Sequence, residues 1–106
     1  MAYYLVTATP KSQDLDRLEE NLRQDRYASL RPFGQTLSHS LRNARLTKEG
    51  YAVWEEEDYC TPPLKQEREA ALDEFFDDIQ VEHVKKGQGW ERIQGLPHLF
   101  PELPDA

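Results

Sequence analysis

"GYAVWEEEDYCTPP", residues 50–63, passes from a turn glycine through four apolar side chains into four consecutive acids, then into the only cysteine and two prolines. Apolar side chains at both parities of "YAVW" describe a strand covered on both faces, and therefore one in the middle of a sheet. The acids Glu55, Glu56, Glu57 and Asp58 are expected to run past the core into water. "CTPP" is expected to turn the chain into a helix, with Thr61 as N-cap and Pro62 at the first helical position.

Outward from this stretch, "AYYLVTAT" at 2–9 repeats the two-sided pattern and predicts a second central strand, ended by Pro10. Leu15, Leu18 and Leu22 make a narrow apolar stripe, predicting a helix from about Gln13 to Asp25 with Ser12 as its cap. "QTLSHSLRNARL" at 35–46 sets Leu37, His39, Leu41 and Asn43 on one parity, the pattern of an edge strand joined by "TKEG" to the strand at Tyr51. Leu64, Ala71, Leu72, Phe75, Phe76 and Ile79 recur with period 3.6 and predict a second helix. "VEHV" and "GWERI" predict the fourth strand. The order βαββαβ is the ferredoxin-like arrangement, an α+β domain with a four-stranded antiparallel sheet, its first and third strands central, and two helices. It is assigned to residues 1–94, and residues 95–106 form a proline-punctuated tail. In that tail Leu96, Leu99, Phe100 and Leu103 are expected to lie along a surface, on their own subunit or on a partner.

The two-sided strands "YYLV" and "YAVW", the βαββαβ order and the chain length resemble the dimeric α+β-barrel superfamily, which includes small antibiotic-biosynthesis-type monooxygenases and YCII-like proteins. The resemblance covers about residues 2–94. It implies a homodimer whose sheets pack face to face, and a cavity between sheet and helices for a small, often aromatic, molecule, bound in several members without metal or flavin. No His and Asp pair stands at the YCII-like spacing, so the fold is implied and the activity is not.

Composition narrows the function classes. A chain of 106 residues is one domain with one modest core. No run approaches the ~20 apolar residues of a spanning helix, so no membrane association is expected. A net charge of −7 disfavours nucleic acid, which is held by arrays of Lys and Arg. Residues 51–82 hold eleven acids against Lys65 and Arg68, a layout that can steer a basic partner or ligand toward this acidic side. One cysteine makes no internal disulfide, and the start lacks the features of a leader, so a cytoplasmic protein is expected. The five glycines are never grouped as phosphate or dinucleotide motifs require, and no cofactor is expected.

Three constellations carry chemistry. With Leu46 opposite Tyr51, the hairpin places His39 against Asp58, Arg42 against Glu55 and Leu37 against Cys60. A carboxylate beside an imidazole raises its basicity, so His39 and Asp58 are the candidate catalytic pair. Tyr3, Trp54 and Phe76 are the candidate ligand-binding residues, as aromatic walls of a pocket. The acids at 55–58 with Asp77 and Asp78 offer oxygen ligands for a hard cation. Strand alternation lets at most two of the four share a side, however, and no metal ligand set is assigned. Cys60 is expected to be an idle thiol, because the neighbouring carboxylates oppose a thiolate.

Two functions are expected to compete. One is a homodimer that binds, or transforms, a small aromatic or apolar molecule in the cavity between sheet and helices. The other is a non-enzymatic module whose acidic face, Glu55 to Glu82, receives a basic protein segment. The residues leave open whether the chain is an enzyme.

Overall fold

The computed structural model describes residues 2–104. β1 is Ala2–Pro10 and a 3-10 turn at Ser12–Asp14 leads into α1, Leu15–Arg23. A second helix, α2, spans Gly34–Arg42 and precedes the two-residue β2, Arg45–Leu46. β3 is Ala52–Asp58, and α3 is the helical segment 65–75, α-helical at its ends and π-helical over Arg68–Leu72. β4, Phe76–Val84, and α4, Gln88–Ile93, complete the order. Among the described residues this is an α+β architecture with a four-stranded antiparallel sheet, ordered β2-β3-β1-β4, and four helices.

The two strands read as two-sided are the central pair. β1 and β3 run antiparallel with Ala2 opposite Asp58 and Val6 opposite Trp54. One face, carrying Val6, Ala8, Ala52 and Trp54, packs against Leu18 and Leu22 of α1, Leu37 and Leu41 of α2, and Leu72 and Phe75 of α3. The opposite face, with Leu5, Val53 and Val84, is covered by Ile93 and Trp90 of α4 and by Leu96. Four helices thus cover what the sequence pattern divided between two helices and a second subunit.

Residues 35–46 depart from the expected edge strand. Leu37, Leu41 and Ala44, at spacings of four and three, are fully buried, whereas His39, which alternation would place with the leucines, is exposed. Gly34 permits the helix to start where it does, because a Cβ there would lie 1.9 Å from the Tyr27 carbonyl oxygen. Ser40 Oγ donates to the Glu55 carbonyl at 2.8 Å, so α2 satisfies part of the β3 edge that β2 is too short to pair. β2 pairs Arg45 with Val53 and Leu46 with Ala52, one residue away from the expected register. The cross-strand pairs His39 with Asp58, Arg42 with Glu55 and Leu37 with Cys60 therefore do not form.

The C-terminal half shows three further corrections. α3 begins at Lys65 rather than at Pro62, after Leu64 in the left-handed region at φ 66°. It ends at Phe75, because Phe75 and Phe76 are adjacent and both buried, and an extended Phe76 (φ −136°, ψ 145°) lets each find the core. Phe76 and Ile79 accordingly belong to β4, and "GWERI" is helical, not extended.

The tail docks on its own chain. Leu46 N–H donates to the Pro97 carbonyl and Leu99 N–H to the Ala44 carbonyl, both at 2.8 Å, which extends the sheet edge beyond β2. Phe100 and Leu103 are buried in the main core. Each contributes about 1.5–3 kcal/mol by burial, a large part of the stability of a small domain. Ending the chain at Gln94 is expected to lower the melting temperature by roughly 10 °C or more, measured by circular dichroism.

Candidate functional site

Three of the four acids expected in water are buried. β3 alternation sends Glu55 to one face of the sheet and Glu56 and Asp58 to the other, the side of Trp54. Glu55 is fully employed. Its carboxylate accepts N–H groups of Gly87 at 2.9 Å, Gly89 at 2.7 Å and Trp90 at 3.3 Å, satisfying the free donors at the start of α4. A Cβ on Gly89 would sit 2.9 Å from Glu55 Oε1 and 3.2 Å from Glu55 Cβ, so glycine eases this close approach.

On the other face, Glu56 and Asp58 meet Glu67, which α3 carries inward on the same side as Leu64 and Ala71. Glu56 and Glu67 are each 0% exposed and Asp58 only 4%. Asp58 Oδ2 accepts the N–H groups of Leu64 at 2.6 Å and Cys60 at 3.1 Å, which holds the left-handed Leu64 in place. Cys60 Sγ lies 3.9 Å from Glu67 Oε1. One ligating atom from each of Asp58, Cys60 and Glu67 falls within 4.8 Å of the others. Glu56 Oε1 accepts from Trp54 Nε1 at 3.2 Å, but Glu56 Oε2 and Glu67 Oε2 face no hydrogen-bond partner among the described residues. Among the described residues no lysine or arginine forms an ion pair with these carboxylates; Arg68, next to Glu67 in sequence, pairs with Asp73 at 3.1 Å.

The electrostatics follow from burial without a counter-charge. Desolvation, and then the negative Glu67, push the Glu56 carboxyl well above its ordinary range. Desolvation and the hydrogen bond to Asp58 raise Glu67 to about 7. Burial pulls Asp58 upward too, but Glu67 and the N–H groups of Leu64, Cys60 and Tyr59 outweigh it and hold Asp58 below the usual range. Desolvation, with Asp58 and Glu67 nearby, raises the Cys60 thiol.

Access is polar. A cleft of about 290 Å³ lined by Ala2, Tyr4, Asp58, Tyr59, Cys60 and Thr61 opens onto the cluster. An enclosed pocket of about 40 Å³, between Phe33, Asp58, Cys60 and Gln66, adjoins it. No family model matches the chain, no curated protein matches it, and no solved structure matches its fold.

The residues singled out in the sequence are dispersed. His39 is on α2 with its ring edge-on to Trp90, centroids 6.3 Å apart, while Asp58 ends β3 among Cys60, Leu64 and Glu67. Trp54 and Phe76 stack in the main core at 5.1 Å, and Tyr3 packs on the opposite face with Leu5 and Val84, so the three do not line one cavity. The expected acidic face is also reduced. Glu55, Glu56, Asp58 and Glu67 are interior, and Asp73, Glu74, Asp77 and Glu82 each pair with a base. Glu67 was legible as an acid within the apolar period Leu64, Ala71, Phe75.

The shift of Glu67 gives a pH profile. Its folded value of about 7 exceeds the ordinary 4.5, so the folded state holds a proton that the unfolded chain releases, and stability declines as pH rises from 4.5 through 7. In metal-free buffer the melting temperature is expected to fall by several degrees between pH 5 and pH 8 (roughly 4–8 °C per kcal/mol), and Glu67→Gln is expected to flatten that decline.

Proposed function

We propose that this protein binds a cation at the acid and thiol cluster that ends β3, admitted through the cleft beside Tyr4 and Thr61. The observation that carries this reading is a pair of oxygens, Glu56 Oε2 and Glu67 Oε2, that meet no hydrogen-bond partner among the described residues and belong to residues with no solvent exposure. Burying several carboxyl groups together costs several kcal/mol per ion unless charge and hydrogen-bonding capacity are both met. A proton on Glu67 meets part of this demand, since it bridges to Asp58, but leaves Glu56 Oε2 unmet. A bound cation neutralises the group as a whole.

The antiparallel sheet order supports placing this site in a ferredoxin-like frame that has gained α2 ahead of β2. A second subunit is not needed for the site, because its residues come from one chain and α4 covers Leu5 and Val53. The cation reading does not draw on the aromatic walls expected for an apolar ligand, of which Trp54 and Phe76 pack on each other in the core. A thermal-shift series with metal-free protein and Mg²⁺, Ca²⁺, Mn²⁺ and Zn²⁺ tests the proposal. At least one cation at a hundredfold its dissociation constant is expected to add about 2.7 kcal/mol of stability, and Glu67→Gln is expected to remove the effect. No shift with any of the four would contradict it.

A further inference from the structure

We infer that the cation is a thiophilic divalent metal ion of the zinc class, held by Asp58, Cys60 and Glu67 with a fourth position open to the cleft. The inference rests on the cation-site reading and adds the identity and coordination of the ion. Three observations point to it. The ligating atoms gather within 4.8 Å, and Cys60 Sγ is already 3.9 Å from Glu67 Oε1. Zinc bonds of about 2.0–2.3 Å set tetrahedral ligand atoms roughly 3.3–3.8 Å apart, so closing on the ion needs movements of about 1 Å or less.

Independently of the cluster's shape, Glu67 Oε2 is a carboxyl oxygen in a residue with 0% exposure that meets no hydrogen-bond partner among the described residues, and a buried polar atom of this kind calls for a partner such as an ion. Glu56 Oε2, likewise without a hydrogen-bond partner among the described residues, stands behind the set as a further carboxyl oxygen.

The donor types choose the ion. Magnesium and calcium take oxygen ligands, commonly six or more for calcium, and have little use for sulfur. A thiolate with two carboxylates suits zinc and its neighbours, and three protein ligands plus an open position is the pattern of metal sites that activate water or a substrate rather than merely brace a fold. The cleft supplies that position, since Asp58 and Cys60 both line it. Binding is balanced by protons: the Cys60 S–H bond and the Glu67 O–H bond break as the metal bonds form, and both protons go to solvent.

The test uses the full chain, stripped with a chelator and titrated with Zn²⁺ by calorimetry and with Co²⁺ by absorption. One Zn²⁺ per chain is expected, together with a thiolate-to-Co²⁺ charge-transfer band. Cys60→Ser is expected to abolish that band and weaken Zn²⁺ at least tenfold, while Glu57→Gln, one residue from Asp58 on the opposite face, leaves both unchanged. Circular dichroism checks that each variant is folded, and modification of Cys60 in wild type, blocked by Zn²⁺, gives a readout that needs no substitution. Zn²⁺ binding indifferent to Cys60→Ser, or a thiol modified equally fast with and without Zn²⁺, overturns the inference. If Mg²⁺ or Ca²⁺ then binds in a Glu67-dependent way, the cation site stands without its thiolate; if no cation binds, both readings fall.

Discussion

The burial of carboxylates along β3 is the constraint on which the rest of this structure hangs. A strand in the middle of a sheet has no solvated side, so consecutive acids there must be answered by the protein itself, in opposite directions. Glu55 answers by gathering three N–H groups and fixes α4 over the second face of the sheet. Asp58 answers by gathering the N–H groups of Cys60 and Leu64 and fixes the strained turn from which α3 departs. Two helices are thus held by backbone hydrogen bonds to neighbouring side chains of a single strand.

Glu56 lies between these two and has no comparable backbone donors. Among the described residues its one hydrogen-bond partner is the indole of Trp54, and the charge that acts on it most is that of another buried acid, Glu67. The difference separates structural from functional acid on the same strand. A carboxylate with three N–H donors is at rest in the folded chain, whereas a group of carboxyls with open lone pairs is at rest only with protons or a cation present. The π-helical turn at Arg68–Leu72 directly after Glu67 fits this picture, since such turns commonly mark functional sites.

Much of the frame was legible from the residues. Two-sided patterns in "YYLV" and "YAVW" identify the central strands, Leu15, Leu18 and Leu22 identify α1, and the large apolar groups between prolines identify a docked tail. Residues 35–46 were not legible because alternation and helical spacing coincide at Leu37 and Leu41, and only the buried Ala44 and the tight contact at Gly34 decide between them. The site was hidden by a reasonable rule, that runs of acids are solvated. That rule fails here because helices α2, α3 and α4 close over the end of β3, a long-range event that local periodicity does not encode. An acid placed on an apolar helical stripe, as Glu67 is, was the signal available.

Glu56, Asp58 and Glu67 share one buried environment in which, among the described residues, no lysine or arginine pairs with them. Carbon-detected NMR titration of the three side-chain carboxyls in metal-free protein measures it directly. The account predicts that they separate, with Asp58 ionising below the ordinary carboxylate range, Glu67 near 7 and Glu56 well above its ordinary value. Three ordinary titrations clustered at about 3.5–4.5, as for solvated carboxylates, would contradict it.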